Sequence, residues 1–188
     1  MAEWRPLVKA PDRDDPSLAT DNDFGYHYTD PLGVACPLGA HIRRANPRDS
    51  LDPQPGPSAS LDVNALHRLI RRGRGYGPGA GNGAGPATGI YFICLAASLS
   101  RQFEFVQHTW LNNPTFNGLY DDADPLTGSR HDGGGTFTAP ARPVRRRYRG
   151  LPQFVRTRGG AYFFLPGISA LRYLAQLPGP IPSGPRTG

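Results

Sequence analysis

The sequence predicts an α+β domain in which helices cover an antiparallel sheet. Segments rich in β-forming residues alternate with segments of helical periodicity, and their coarse order along the chain is β-β-α-β-β-α. The length of 188 residues suits one domain of ordinary size. The chain also has 24 glycines and 21 prolines, nearly a quarter of its residues, so long loops must connect the elements.

The first 60 residues contain little regular structure. Residues 1–35 are polar, rich in aspartate and interrupted by prolines, which predicts a long irregular N-terminal arm. Residues 36–50 predict a short helix or turn that ends before Pro47. Residues 51–60 have the Pro- and Ser-rich composition of a linker. The ordered domain is therefore predicted over residues 36–177.

The middle of the chain contains the strongest strand and helix signals. Residues 65–72 fit either a strand or a helix, and a glycine-rich connection follows. The apolar run 90–97 predicts a strand buried on both faces. Leu99, Phe103, Val106 and Trp110 then recur at helical spacing, which predicts a helix with one packed face.

The last third of the chain predicts two more strand regions and a helix. Residues 112–141 have the composition of a loop, and 144–149 of a basic strand. Residues 154–158 and 161–165 predict a hairpin around the Gly159-Gly160 pair. Residues 168–176 predict a short helix that stops near Pro178, and residues 178–188 predict a disordered tail rich in proline and glycine.

The charge is unevenly distributed. Ten of the 15 acidic residues lie between Glu3 and Asp62, none follows Asp132, and nine arginines do. A basic C-terminal third invites a nucleic-acid interpretation, but no binding motif accompanies it and lysine is almost absent, so we expect no nucleic-acid partner. The alternative is a basic surface that meets an acidic one, within this chain or on a partner.

The lack of a recognisable targeting signal and the small number of cysteines predict a cytoplasmic protein. No window of 18 apolar residues exists, which argues against a membrane span. The N-terminus lacks the basic and apolar regions of a signal peptide. The two cysteines, Cys36 and Cys94, are too few for a disulfide scaffold and fit reduced thiols.

Several common chemistries lack their motifs. A phosphate-binding Walker loop needs Gly-Lys, and the single lysine is Lys9. No GxGxxG or GxSxG pattern occurs, and the cysteines form no CxxC pair for zinc or c-type haem. One dense segment remains, in which the isolated His41 precedes Arg43 and Arg44. A neutral imidazole is a common metal ligand, although a lone histidine is more often structural.

The residues around His41 favour a metal-ligand role over a structural one. Cys-Pro-Leu-Gly-Ala-His-Ile-Arg-Arg-Ala-Asn-Pro-Arg, residues 36–48, resembles the proximal-histidine signature of the dye-decolourising (DyP-type) haem peroxidases. Five further blocks resemble the same family in the same order: residues 69–77, 89–94, 101–107, 124–128 and 154–166. Six blocks in one order are more specific than any single motif. The resemblance implies the C-terminal half of such a peroxidase, with a ferredoxin-like sheet that forms one half of a dimeric α+β barrel.

The resemblance also implies roles for individual residues. His41 matches the axial ligand of the haem iron, and Arg71 the distal arginine that acts on peroxide. Ile90 and Phe92 lie two apart on a strand and match the apolar wall over the haem. Asp124 is the candidate for the carboxylate that accepts the N–H of His41 and makes the ligand more electron-donating, and Asp121 and Asp122 lie close by as alternatives.

The propionates of the haem need cationic partners as well. Arg43 or Arg44 is a candidate, and the alternative for each is a structural or solvated arginine. The implied cofactor is haem b, and the implied partners are hydrogen peroxide and an organic electron donor such as a dye or phenol.

The chain departs from the family in one important respect. The N-terminal half of a complete member carries a GxxDG motif, whose aspartate moves the peroxide proton, and this sequence contains no such motif. We therefore expect a peroxidase that is incomplete or weakly active alone. The missing half would come from a homo-oligomer or a partner chain. The alternative is a haem-binding half-domain or an inactive remnant.

Overall fold

A computed structural model describes residues 25–51, 56–77, 88–130 and 134–177 of the chain. The chain divides into two compact units, residues 1–156 and 157–188. Most of the predicted arm and the whole predicted tail lie outside the described residues. Residues 25–35 contain no helix or strand, as expected, yet Tyr26 and Asp30 within them are buried in the first unit.

Among its described residues, the first unit contains three helical regions, a 3₁₀ turn and four strands. In chain order they are α1 (His41–Ala45), α2 (Pro57–His67), β1 (Ile70–Tyr76), β2 (Gly89–Leu95), α3 (Phe103–Phe105, continuing as a π-helix over Val106–Leu111), a 3₁₀ turn (Phe116–Gly118), β3 (Gly135–Ala139) and β4 (Arg146–Leu151). The second unit contains α4 (Ile168–Gln176), as predicted. No helix within the described ranges is long and apolar enough to cross a membrane.

The strands form two separate antiparallel sheets of two strands each, β1 with β2 and β3 with β4. The predicted α+β class is therefore confirmed, whereas a single covered sheet is not present among the described strands. In the first sheet Gly73 lies opposite Phe92 and Gly75 opposite Ile90. Residues directly opposite each other share a face of an antiparallel sheet, so this register decides which side chains lie together.

The prediction that β2 is buried on both faces is wrong for this chain. Ile90 is 73% exposed, Phe92 53% and Ile93 58%, so both faces of the strand are open. The physical reason is that no second layer of the described structure covers the two-stranded sheet. The apolar pattern of β2 is thus matched to surroundings that the described part of the chain does not supply.

The core lies against α3. Val106, Trp110, Leu111 and Phe116 form its buried apolar cluster. Val106 and Trp110 belong to the predicted helical stripe, whereas Leu99 precedes the helix and stays 41% exposed. The wider turn of the π-helix brings Val106, Trp110 and Leu111 into this cluster together.

Three other sequence predictions need correction. The linker 51–60 contains the start of α2, which begins at Pro57, because proline suits the first helical position and Gly56 adopts a φ of 122° before it. The loop 112–141 contains strand β3, whose partner is the arginine-rich β4. The predicted hairpin 154–165 forms no strand, since an isolated two-stranded hairpin is only marginally stable.

Residues 65–72 proved ambiguous for a structural reason. Helix α2 ends at His67 and strand β1 begins at Ile70, so each alternative applies to one half of the segment. The His67 ring stacks on Phe105 with centroids 3.8 Å apart and meets the edge of Trp110. The end of α2 is thereby fixed against the core, and β1 starts from a defined position.

Candidate functional site

The site is built around a contact between His41 and Asp124. His41 is the first residue of α1, and its Nδ1 lies 2.9 Å from Oδ2 of Asp124, which is 83 residues further along the chain. The Asp124 side chain is fully buried, whereas that of His41 is 39% exposed. One edge of the imidazole therefore faces the protein interior and the other remains accessible.

The carboxylate of Asp124 is held by the loop that follows it. Its Oδ1 accepts hydrogen bonds from Leu126 N at 3.0 Å, Thr127 N at 2.7 Å and Thr127 Oγ1 at 3.0 Å. Burial raises the pKa of Asp124, but the hydrogen bonds from His41 and from Thr127 together lower it below its ordinary value. Asp124 is therefore ionised at neutral pH.

Ionisation of Asp124 fixes the role of each nitrogen of His41. A carboxylate has no proton to donate, so Nδ1 of the imidazole carries the proton and donates it to Oδ2. Nε2 makes no hydrogen bond to the part of the chain that the structure describes. A histidine that donates one N–H to a carboxylate and keeps its other nitrogen open has the arrangement of a metal ligand. The donor set thus fits a haem iron.

Two glycines without positive φ provide space around this pair. A Cβ on Gly39 would lie 3.2 Å from Leu119 Cδ1 and 3.5 Å from the Phe137 ring, so the turn before His41 packs tightly against those side chains. A Cβ on Gly128 would lie 2.5 Å from the carbonyl oxygen of Asp124. The close backbone approach at Gly128 closes the turn that holds the carboxylate.

Arg44 connects α1 to the segment that carries Asp124. Its side chain is fully buried, and its guanidinium donates to the carbonyl oxygens of Gly39, Trp110, Asn113 and Asp122. Burial lowers the pKa of Arg44 to about 10, against the opposing charges of Asp124 and Asp122. Arg44 is protonated at neutral pH, and its guanidinium donates to backbone carbonyls. These contacts favour a structural role for Arg44 over contact with a haem propionate.

Arg43 is also buried, at 1% exposure. Its Nη1 donates to the carbonyl oxygens of Asp30 and Cys36, and its guanidinium lies 4.3 Å from the Tyr26 ring centroid. Its Nε and Nη2 have no hydrogen-bond partner among the described residues. These two donors suit a propionate chemically, but a propionate reaches them only if the covering residues move. The predicted propionate contact of Arg43 remains a prediction.

The other three predicted site residues share one face of the first sheet. Arg71 lies opposite Cys94, and the pairs Gly73–Phe92 and Gly75–Ile90 continue the same face. Arg72 belongs to the opposite face. Because two glycines lie across from Phe92 and Ile90, no side chain of β1 rises beside the two apolar ones, and the face is flat. Arg71 is exposed and makes no ion pair with the described residues.

The structure therefore groups the predicted residues into two sets, His41 with Asp124 and Arg71 with Ile90 and Phe92. It places Asp124, rather than Asp121 or Asp122, against His41. Sequence reasoning missed Thr127, which supplies two of the three hydrogen bonds on Oδ1. The Asp-x-x-Thr spacing is the signal that was available, since an aspartate accepts hydrogen bonds from residues two and three positions later in a turn.

Comparison with known proteins gives a consistent answer. The chain is 36% identical to the multifunctional dye peroxidase DyP2 of Amycolatopsis sp. over 81% of its length, and 34% identical to a dye-decolorizing peroxidase of Exidia glandulosa over 91%. The chain belongs to the dye-decolourising (DyP-type) peroxidase family. It spans about a third of these relatives, 35% and 36% of their lengths, which fits the predicted C-terminal half. No protein-family model matches the chain.

Solved DyP-type structures resemble the fold as well. A dye-decolorizing peroxidase variant in complex with cyanide superposes with a TM-score of 0.63 at 31% identity, covering 85% of this chain and 37% of that one. A DyP-type peroxidase of Anabaena sp. gives a TM-score of 0.56 at 27% identity, with 69% and 29% covered. The predicted α+β class and DyP-type fold are thereby confirmed.

Proposed function

We propose that this chain is the haem-binding part of a DyP-type peroxidase that reduces hydrogen peroxide and oxidises an organic donor in single-electron steps. The contact between His41 Nδ1 and the buried carboxylate of Asp124 carries this proposal, because it leaves Nε2 open for a metal. The relatives named dye peroxidases support the reaction class.

Each residue of the proposed site has its own role. Haem b supplies the redox chemistry when bound. His41 is the proposed iron ligand, and Asp124 keeps the proton on Nδ1 so that the imidazole is a strong electron donor. Ile90 and Phe92 offer an apolar wall, and the guanidinium of Arg71 would stabilise negative charge on peroxide oxygen.

The proposed site is incomplete in this chain. Moving the peroxide proton needs a general acid–base group, a contribution of roughly 10²–10⁴-fold in rate, and the GxxDG motif that carries it in the family is missing from the sequence. We propose that a partner chain supplies this group, and that this partner or a second copy covers the open apolar sheet of β1 and β2. Alone, the chain then turns over slowly and self-associates.

Haem titration tests the ligand. Purified chain with added haemin is expected to develop a Soret band at one haem per chain, His41→Ala is expected to lose it, and His108→Ala, an exposed histidine on α3, is expected to keep it. Equal haem occupancy in the wild type and His41→Ala would remove His41 from the proposal.

Turnover and mass on the same haem-loaded sample test completeness. We expect dye turnover with peroxide far below that of a complete two-half enzyme, together with a dimer or larger species in light scattering. Haem binding without any turnover would favour the half-domain alternative. A monodisperse monomer with full activity would show that the second half is dispensable.

A further inference from the structure

We infer that Thr127 is a positioning residue that sets how strongly Asp124 accepts the proton of His41, and through it how strongly the imidazole donates electrons to a bound iron. This inference rests on the proposed haem ligation by His41. The side-chain hydroxyl of Thr127 donates to Asp124 Oδ1, and the proposed effect of Thr127 is exerted only through that carboxylate.

The two carboxylate oxygens of Asp124 accept different numbers of hydrogen bonds. Oδ2 makes one contact, with His41 Nδ1 at 2.9 Å, whereas Oδ1 accepts three hydrogen bonds, two of them from Thr127. The oxygens of a carboxylate share one negative charge. Donors on Oδ1 therefore withdraw charge from Oδ2 and weaken its pull on the His41 proton.

Burial of Asp124 strengthens the effect of these hydrogen bonds on the charge of its two oxygens. The Asp124 side chain is fully buried, so bulk water does not replace a donor lost from its Oδ1 or screen the charge. The donors come from one turn, closed by Gly128 N on the carbonyl oxygen of Asp124 at 3.1 Å. The backbone N–H groups of Leu126 and Thr127 still hold Oδ1 when the Thr127 hydroxyl is removed, so the lost hydrogen bond changes the charge on the carboxylate more than its position.

Only one of the Thr127 contacts depends on its side chain. The backbone N–H remains in any variant except proline, whereas the Oγ1 hydrogen bond at 3.0 Å is removed in Thr127→Val and kept in Thr127→Ser. Thr127 is exposed, so valine is accommodated without repacking a core. Thr115→Val is a matched control, because that exposed hydroxyl bonds Asn113 Oδ1 and does not touch Asp124.

The first measurement needs no cofactor. In the protein without haem, NMR is expected to show the His41 Nδ1 proton further downfield in Thr127→Val than in the wild type, because its hydrogen bond to Oδ2 is stronger. Thr127→Ser and Thr115→Val are expected to match the wild type. An unchanged proton in Thr127→Val would overturn the inference, whatever the fate of the haem proposal.

The second measurement uses the chain loaded with haemin. Thr127→Val is expected to raise the iron–histidine stretching frequency and to shift the ferric-to-ferrous ratio toward ferric by up to about fivefold at fixed potential, the equivalent of one hydrogen bond. Thr127→Ser is expected to restore both values. If the wild type takes up no haem, the proposed function fails and the apo measurement alone decides the inference. Identical values in the Val and Ser variants, or loss of haem only in Thr127→Val, would assign Thr127 to loop structure instead and overturn it.

Discussion

Replacing Arg44 by methionine is expected to destabilise the first unit severely. The variant keeps a long apolar stem but loses the guanidinium, whose nitrogens donate to Gly39 O at 3.2 Å, Trp110 O at 2.8 Å, Asn113 O at 2.9 Å and Asp122 O. These carbonyls belong to the turn before His41 and to the segment before Asp124. The substitution therefore separates the two sides of the candidate site.

The magnitude follows from the donors that these carbonyls lose, together with Leu111 O, which lies 3.4 Å from Nη1 of Arg44. A buried acceptor left without a donor costs about 1–3 kcal/mol, but the variant no longer carries the cost of burying a charge. The positive charge near Asp122 and Asp124 is also lost, which adds to the penalty. We expect a net loss of about 3–5 kcal/mol, the range for breaking a buried charged pair. A domain of this size has about 5–15 kcal/mol in total.

Urea unfolding followed by tryptophan fluorescence measures this loss. Trp110 is buried in the core and Trp4 lies outside the described residues, so a Trp4→Phe background assigns the signal to Trp110. Arg147→Met is the matched control, because Arg147 lies on the exposed strand β4 and its ion pair is with the exposed Asp121. The control is expected to lose less than about 1 kcal/mol. If Arg44→Met also lost less than about 1 kcal/mol, the carbonyl network would not hold the two segments together.

Three further substitutions or reagents test other parts of the structure. Gly128→Ala is expected to displace the Asp124 turn, because its Cβ would lie 2.5 Å from Asp124 O, and haem uptake is expected to weaken. Gly118→Ala is the control, because no atom lies within 4 Å of the added Cβ. It is expected to keep haem uptake, with a small loss of stability from its positive φ. Arg71→Leu is expected to keep the resting Soret band and slow the reaction with peroxide in stopped-flow measurements, and Arg72→Leu on the opposite face is not; equal rates in wild type and Arg71→Leu would remove Arg71 from the reaction. Burial raises the pKa of the Cys36 thiol, against lowering by Tyr26 and Arg43, so we expect iodoacetamide to alkylate Cys36 more slowly than a free cysteine near pH 8; alkylation at the rate of a free thiol would contradict the burial argument.

Local sequence patterns determined several elements of the fold. The β-branched and aromatic run of β2, the spacing of Val106 and Trp110 in α3 and the amphipathic pattern of α4 each encode their own period within about ten residues. Strand β3 and the start of α2 were missed because polar, Pro-rich or Thr-rich segments carry weak local signals. Their structure depends on β4 and on the bonds from Ser60 and Asn64 to Arg48 O.

For the candidate site too, sequence motifs predicted some features and tertiary structure decided the others. Sequence motifs singled out His41, Arg71, Ile90, Phe92 and Asp124, because each lies in a short block that resembles the DyP family. The choice of Asp124 over its two neighbouring aspartates, the Thr127 contacts and the carbonyl network of Arg44 came only from tertiary structure. These contacts join residues up to 83 positions apart, and they exist because buried carbonyl and carboxylate oxygens must find donors once the chain is packed. A local pattern determines the shape of its own segment, whereas the pairing of buried polar groups is decided only by how distant segments pack together.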